Sequence, residues 1–210
     1  PLGKTWGLEA FSQRYRGFYV TDSNVEIPDD TAFPQRADII SRNLGLTGHY
    51  VFNNQRFSFR SSYNFSERQV FSKGSVLLFS ALSTFRLQAD SSILSTSQES
   101  VFGEDVSFEQ LRYASFSVAP GYTYSIVYNN FFLNGTLSVG PSHHWIKYRR
   151  DGEPESNERT INSFVAARIG LGYNGERIFG GISFLTQGNN VKFEDVTFSN
   201  NNGSFTILLG

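Results

Sequence analysis

The chain has 210 residues, a length that suits one all-β domain, because single barrels often exceed the average domain size. Its 18 Lys and Arg residues are balanced by 19 Asp and Glu residues. The sequence therefore lacks the basic character of nucleic-acid-binding proteins, and no nucleic acid is expected as a partner. Cysteine is absent, which removes disulfides, thiol nucleophiles and the common structural zinc sites.

The aromatic content is high, with 21 Phe and 10 Tyr. The mean hydropathy is nevertheless -0.29. Strands with one apolar and one polar face have such a composition. The longest nearly apolar run, residues 76–82, is far shorter than the roughly 20 residues that a membrane-spanning helix needs. If the chain spans a membrane, it does so with strands.

Apolar and polar residues alternate along much of the chain. The clearest segments are residues 56–65, 115–128, 131–145 and 161–173. Because successive side chains of a strand point to opposite faces, a period of two predicts strands. We predict ten strands, at residues 4–20, 39–52, 56–66, 74–88, 112–128, 131–148, 160–173, 177–185, 191–198 and 204–209.

The connections predict a meander. Residue pairs typical of tight antiparallel turns are Asn53–Asn54, Asn129–Asn130 and Asn174–Gly175. Longer polar stretches, expected as outer loops, are residues 21–36, 90–109 and 149–159. The predicted fold is therefore all-β, an antiparallel up-and-down transmembrane β-barrel with about ten strands in this chain.

Strand length and aromatic placement favour a membrane barrel over a soluble lipocalin-like barrel or sandwich, which stays the alternative. Several predicted strands match the 9 to 11 residues needed to cross a bilayer at a tilt. Aromatic residues near strand ends predict an interfacial aromatic belt, since Trp and Tyr prefer the headgroup zone. These residues are Trp6, Tyr19, Tyr128, Trp145 and Tyr173.

Three stretches resemble a family of outer-membrane barrels of unknown function found in Bacteroidota. They are residues 4–20 with Leu8-Glu9-Ala10, residues 50–75 beginning Tyr50-Val51-Phe52, and residues 120–140 beginning Pro120-Gly121-Tyr122. The resemblance implies a barrel in the bacterial outer membrane and brings no catalytic residues. It also implies a leader and further strands before Lys4. We thus expect residues 1–210 to be a single barrel domain that lacks its signal peptide and N-terminal strands, with 12–14 strands in the full protein.

Two groups of residues are candidates for function. Ser142 and His144 lie two apart on a polar face, as do a Ser and a His of some outer-membrane lipid hydrolases. The alternative is that His144 hydrogen-bonds in the lumen. Arg56, Arg60 and Arg168 are predicted to face the lumen, either attracting anionic solutes or pairing with inward carboxylates.

The sequence favours a non-enzymatic barrel: a structural component, a narrow pore or an accessory subunit of an outer-membrane complex. The alternative is a lipid hydrolase that uses Ser142 and His144. Expected partners are outer-membrane lipid and other outer-membrane or periplasmic proteins, and no cofactor or metal is expected. The strand at residues 4–20 is predicted to have an unpaired edge instead of pairing with residues 204–209.

Overall fold

The computed structural model describes residues 4–19, 35–90, 109–149, 154–175, 178–193 and 196–210. These residues form eight strands and one short helix. The elements are β1 (Trp6–Tyr19), β2 (Gln35–Val51), α1 (Arg60–Tyr63), β3 (Lys73–Gln88), β4 (Gln110–Tyr128), β5 (Phe131–Arg149), β6 (Ser156–Asn174), β7 (Phe179–Phe193) and β8 (Val196–Leu209). The all-β prediction is confirmed.

The strands form one antiparallel sheet in the order β1-β2-β3-β4-β5-β6-β7-β8, so the up-and-down meander is also confirmed. At the turn between β4 and β5, Asn129 adopts a positive φ of 52°, which asparagine tolerates better than most residues. We call this end of the sheet, where Trp6 and Tyr128 lie, the turn end. The opposite end, where Gln88 and Arg149 lie, is the loop end.

The sheet curls into a half-barrel. Asn200 of β8 donates a hydrogen bond to the Tyr113 hydroxyl of β4 at 2.7 Å, although three strands separate them in the sheet. Phe79 of β3 stacks on Phe164 of β6 with ring centroids 5.6 Å apart. These contacts cross the concave face, and the opposite, convex face points away from the rest of the chain.

Side chains alternate between the two faces along every strand, as the pleat requires. The largest buried cluster lies on the concave face towards the loop end and consists of Ile39, Phe85, Leu87, Leu111, Tyr113, Ile146, Tyr148 and Val191. The convex face carries exposed apolar side chains, among them Leu8, Leu46, Leu82, Phe116, Leu137, Ile169 and Phe184. The apolar residues of the alternating pattern therefore lie on the convex side of the sheet.

The predicted strand at residues 56–66 is wrong. The chain turns at Asn53, whose carbonyl accepts hydrogen bonds from the amides of Arg56 and Phe57, and α1 follows. Phe57 and Phe59 are 1% and 5% exposed, so their alternation reflects burial against the concave face and not strand geometry. Asn53–Asn54 accordingly begins a long connection and is not a tight hairpin turn.

Two further predicted boundaries are wrong. The predicted strand at residues 177–185 continues into residues 191–193 as one strand, β7, whereas residues 196–198 belong to β8, which begins eight residues earlier than predicted, at Val196. The polar residues Asn189 and Asn190 pair with Asn200 and Ser199 in the ladder between the two strands. Strand segments that are polar on both faces carry no period-two signal, which is why the pattern missed them. The described residues thus form eight strands, whereas ten were predicted for the chain.

Among the described residues, β1 forms a backbone ladder with β2 alone and β8 with β7 alone. The prediction that β1 has an unpaired edge and does not pair with residues 204–209 is confirmed within this part of the chain. The two edges nevertheless face each other, because Phe11 and Asn202 border the same cavity of about 20 Å³. The predicted loops at residues 21–36 and 90–109 lie almost entirely outside the described residues.

The one helix of the described residues, α1, has four residues. Within these ranges no helix has the length and apolar character required to cross a membrane.

Candidate functional site

The connection between β2 and β3, residues 52–72, folds against the concave face of the half-barrel, and we call it the inner segment. It is braced internally. The Ser58 amide donates to Oε1 of Gln69 at 2.7 Å, and the Ser58 hydroxyl donates to Glu67 at 2.6 Å. Arg60 forms an ion pair with the same Glu67 carboxylate at 3.1 Å. The segment thus carries its own polar partners into the interior.

Apolar contacts hold the inner segment in place. Phe65 is 3% exposed, and its ring lies 5.9 Å from that of Phe132 on β5. Its φ of 55° is unfavourable for a bulky residue, so packing of the ring must offset local strain. Val51, Phe57, Phe59 and Leu77 form a second buried cluster at the base of the segment.

Arg168 of β6 fastens the inner segment to the sheet. Its Nη2 donates hydrogen bonds to the carbonyl of Tyr63 at 2.6 Å, the carbonyl of Ser62 at 3.3 Å and the hydroxyl of Ser183 at 3.0 Å. The guanidinium also lies over the Tyr63 ring, 4.2 Å from its centroid. Hydrogen bonds and a cation–π contact therefore compensate a cation that is only 7% exposed.

Tyr63 extends this network to the opposite edge of the half-barrel. Its hydroxyl donates a hydrogen bond to Glu9 of β1. Burial raises the pKa of the Tyr63 phenol, and the bond to the Glu9 carboxylate raises it further. Tyr63 therefore stays a neutral donor over the physiological range, and a chain of contacts joins Glu9, Tyr63 and Arg168 across the concave face.

The space around this network is almost filled. A cavity of about 30 Å³ is bordered by Glu9, His49, Tyr63 and Arg168. A volume of this size holds about two water molecules. Within the described residues, the packed inner segment leaves no room for a sizeable ligand at this depth.

Arg56, Arg60 and Arg168 were predicted on strand faces. Arg168 lies on the concave face of β6, as described above. Arg56 is exposed in the turn after Asn53, and Arg60 lies in α1 and pairs with Glu67. The predicted strand placement is therefore wrong for Arg56 and Arg60, because the alternating stretch around them belongs to the inner segment.

Ser142 and His144 both lie on the concave face of β5 and are fully buried. They bond to β4 and not to each other: the Ser117 hydroxyl donates to Ser142 at 2.7 Å, and Nδ1 of His144 lies 2.6 Å from the Ser115 hydroxyl. Each pair consists of direct register partners. Sequence reasoning missed Ser115, because only the register of β4 against β5 reveals it.

A serine hydroxyl bonded to an imidazole resembles an activated nucleophile. Here Ser115 is 2% exposed and His144 is completely buried. Nε2 of His144 has no hydrogen-bond partner among the described residues, so no carboxylate there orients the ring. In the described part of the chain, the Ser115–His144 contact is a buried polar bond between register partners of neighbouring strands.

This pair belongs to a series of polar bonds along β4 and β5. Thr123 and Thr136 are register partners with hydroxyl oxygens 2.7 Å apart, and Asn134 donates to Ser125 at 2.9 Å.

Groups of three or more His, Asp or Glu close enough to hold a metal do not occur among the described residues.

The aromatic residues predicted as a belt lie near the strand ends. Trp6, Tyr128 and Tyr173 are at the turn end of the convex face and are 58%, 74% and 37% exposed, respectively. Trp145 lies near the loop end and is 43% exposed. Tyr19 is the last residue of β1, and its side chain lies outside the described part of the chain.

The chain was compared with solved structures, with curated proteins and with protein-family models. The chain resembles the crystal structure of Ail, the attachment invasion locus protein of Yersinia pestis, with 16% sequence identity and a TM-score of 0.33 over 97% of this chain and 93% of that one. Among curated proteins, none matches the chain. A family model described as Domain of unknown function (DUF4421) matches residues 2–210. With practically its whole length covered by that model, the chain belongs to the DUF4421 family.

Proposed function

We propose that the chain spans the bacterial outer membrane as part of a β-barrel and acts without catalysis, as a structural or accessory subunit of an outer-membrane assembly. The observation that carries this proposal is the apolar convex face. Leu46, Leu82, Phe116, Leu137 and Ile169 are between 40% and 61% exposed, on five neighbouring strands. Soluble monomers rarely expose a continuous apolar surface of this extent, because it costs free energy in water.

The strands are long enough for this role. Those of the described residues have 14 to 19 residues, more than the 9 to 11 that cross a hydrocarbon core at a tilt. Curved antiparallel sheets with an apolar outside and a polar inside are typical of outer-membrane barrels. The resemblance noted in the sequence supports a source in Bacteroidota.

The unpaired edges support a larger barrel. In hydrocarbon each unpaired backbone group costs several kcal/mol, so a spanning sheet must close. Closure by additional strands at the free edges of β1 and β8 gives the proposed total of 12–14. Residues 1–210 would then be one barrel domain together with those strands.

The packed interior favours a structural role over an open pore. The inner segment occupies the concave face, where the cavity bordered by Glu9 has a volume of about 30 Å³ and the cavity bordered by Phe11 one of about 20 Å³. Lipid hydrolysis has less support still, because Ser142 and His144 bond to separate partners on β4.

The proposal is tested with protein reconstituted into phosphatidylcholine vesicles. We expect the protein to float with the vesicles, to resist protease within the strands and to give no conductance in planar bilayers. Purification of the native protein in mild detergent should yield a reproducible larger complex. A protein that stays in the aqueous fraction would disprove the membrane role, and steady ion conductance would establish a pore instead.

A further inference from the structure

A row of five cations crosses the convex face near the loop end. Arg14 is the register partner of Arg42, Arg42 of Arg86, Arg86 of Arg112, and Arg112 of Lys147. The five residues therefore lie side by side on β1 to β5, and we call them the basic row.

Arg42, Arg86, Arg112 and Lys147 point to the convex face, because residues beside them on the same strands are buried on the concave side, and Arg14 shares this face as the register partner of Arg42. These neighbours include Asn43, Phe85, Leu87, Leu111, Tyr113, Ile146 and Tyr148. Adjacent strands lie about 4.8 Å apart, so the row extends over roughly 19 Å.

Among the described residues, the row carries an excess of positive charge. Like charges directly opposite each other on neighbouring strands destabilise a sheet, and the row contains four such pairs in succession. Of its members, only Lys147 has a carboxylate partner among the described residues, Glu155 at 3.5 Å in an exposed pair. Nε of Arg86 and Nε of Arg112 are buried without a hydrogen-bond partner in this part of the chain. An external anion that contacts the exposed ends of these guanidinium groups would offset the positive charge.

The row borders the apolar surface. On the turn side of Arg42 lie Leu44 and Leu46, which are 59% and 40% exposed, and on the turn side of Lys147 lies Trp145. Among the described residues of β2 to β5, the exposed large apolar side chains of the convex face all lie on this side of the row. Arginine facing lipid is tolerated at the membrane interface and not at mid-depth, so the row marks the headgroup layer.

We propose that the basic row binds the phosphate groups of anionic lipid headgroups in the leaflet at the loop end; this rests on the proposed membrane-spanning function. Guanidinium groups bind phosphate with two parallel hydrogen bonds, and four of the five cations are arginines. An extended row beside an apolar band fits several lipids in line, since their acyl chains contact the band while their phosphates reach the row. A free phosphate ion would use neither the length of the row nor the apolar border.

The test uses the protein reconstituted into vesicles of phosphatidylcholine with one quarter phosphatidylglycerol, followed by native mass spectrometry of retained lipid. The variant Arg42→Gln/Arg86→Gln/Arg112→Gln removes three charges from the row. The matched control Arg56→Gln/Lys73→Gln/Lys192→Gln removes three exposed charges elsewhere. We expect retained phosphatidylglycerol to fall about fivefold or more in the row variant and to stay unchanged in the control.

Equal retention by the row variant and the control would overturn the proposal. So would an inorganic phosphate adduct formed on protein in pure phosphatidylcholine vesicles and lost in the row variant, because the row would then be a site for the free ion. The variant Arg86→Lys keeps the charge and should keep most of the retention, which separates loss of binding from loss of folding. Flotation with pure phosphatidylcholine vesicles tests the membrane role separately, so failure of one proposal is distinguishable from failure of the other.

Discussion

Nη2 of Arg168 donates a hydrogen bond to the backbone carbonyl of Tyr63 at 2.6 Å, across 105 residues of sequence. This bond joins β6 to the inner segment, which is also tied to the rest of the sheet by the Tyr63–Glu9 and Arg68–Asn130 hydrogen bonds. A buried arginine needs several acceptors, and a short helix end supplies carbonyls that lack intrahelical partners. The half-barrel and the inner segment thereby satisfy each other's polar groups.

Replacement of Arg168 by Ala should release the inner segment. The substitution leaves the carbonyls of Ser62 and Tyr63 without these charged donors, and we expect a loss of about 2–3 kcal/mol in the free energy of unfolding. Urea unfolding in phosphatidylcholine vesicles measures this loss, and limited proteolysis within residues 52–72 should become faster. Arg159→Ala, an exposed residue on the same strand, is the control. A cost equal to that of the control would show that Arg168 does not hold the segment.

The Tyr63 phenol gives a prediction for high pH. Its pKa is raised in the folded state above the unfolded value of about 10. Above that pH the unfolded chain loses the proton while the folded chain retains it, so stability falls as pH rises. Wild type should lose more stability than Tyr63→Phe between about pH 10 and 11. Parallel stability curves for the two proteins over this range, measured by urea unfolding, would contradict the assignment.

The sequence was sufficient to predict which face of the sheet Arg168 lies on, but it was not sufficient to predict every connection between strands. On β6 the alternation around Arg168 is unbroken, so the inward placement of this residue followed from parity. Around Phe57 and Phe59 the same alternation occurs in the inner segment, which packs against the concave face of the sheet. Local periodicity reports which residues are apolar, and it does not distinguish a strand from an irregular segment buried by tertiary contacts.

The sequence also did not predict which residues of neighbouring strands lie opposite each other. Ser115 and His144 are register partners, and so are Arg86 and Arg112, yet 26 to 29 residues separate the members of each pair in sequence. One residue of slippage between two strands would bring different residues opposite each other. Single-strand patterns do not fix this register, which is why the Ser115–His144 pair and the basic row were not predicted.

Lipid hydrolysis is expected to be absent. Ser142 bonds to Ser117, and His144 bonds to Ser115 inside the concave face, away from the lipid. Phosphatidylcholine vesicles containing the protein should release fatty acid at the rate of protein-free vesicles, and Ser142→Ala, Ser115→Ala and His144→Ala should leave that rate unchanged. Release that is fast in wild type and lost in His144→Ala would instead support the enzyme hypothesis.

Contact of the convex face with lipid can be tested by introducing a charged residue at two depths of the proposed membrane. Leu46 lies about midway between Arg42 of the basic row and Val51, the last residue of β2, whereas Phe52 follows Val51 at the turn end. In a bilayer, Leu46→Arg should cost about 2–4 kcal/mol and Phe52→Arg about 0–1 kcal/mol. Both costs are measured by equilibrium unfolding in vesicles. The side chains of Leu46 and Phe52 are both exposed, so a sheet surrounded by water would tolerate the two substitutions equally. Equal costs would therefore contradict the membrane-spanning role.

The last prediction concerns the two free edges. In the described residues the edges of β1 and β8 face each other across the small cavity bordered by Phe11 and Asn202. In the proposed barrel of 12–14 strands, four to six further strands would lie between them and would place them roughly 20 Å or more apart along the wall. A disulfide requires Cα atoms within about 7 Å, so Ser12→Cys and Asn201→Cys should not cross-link under oxidation in the membrane. The chain has no native cysteine to interfere. Ser12→Cys with Leu44→Cys, direct register partners on β1 and β2, is the positive control and should cross-link. Efficient cross-linking between positions 12 and 201 would mean that β1 and β8 meet, and the proposed additional strands would have to be abandoned.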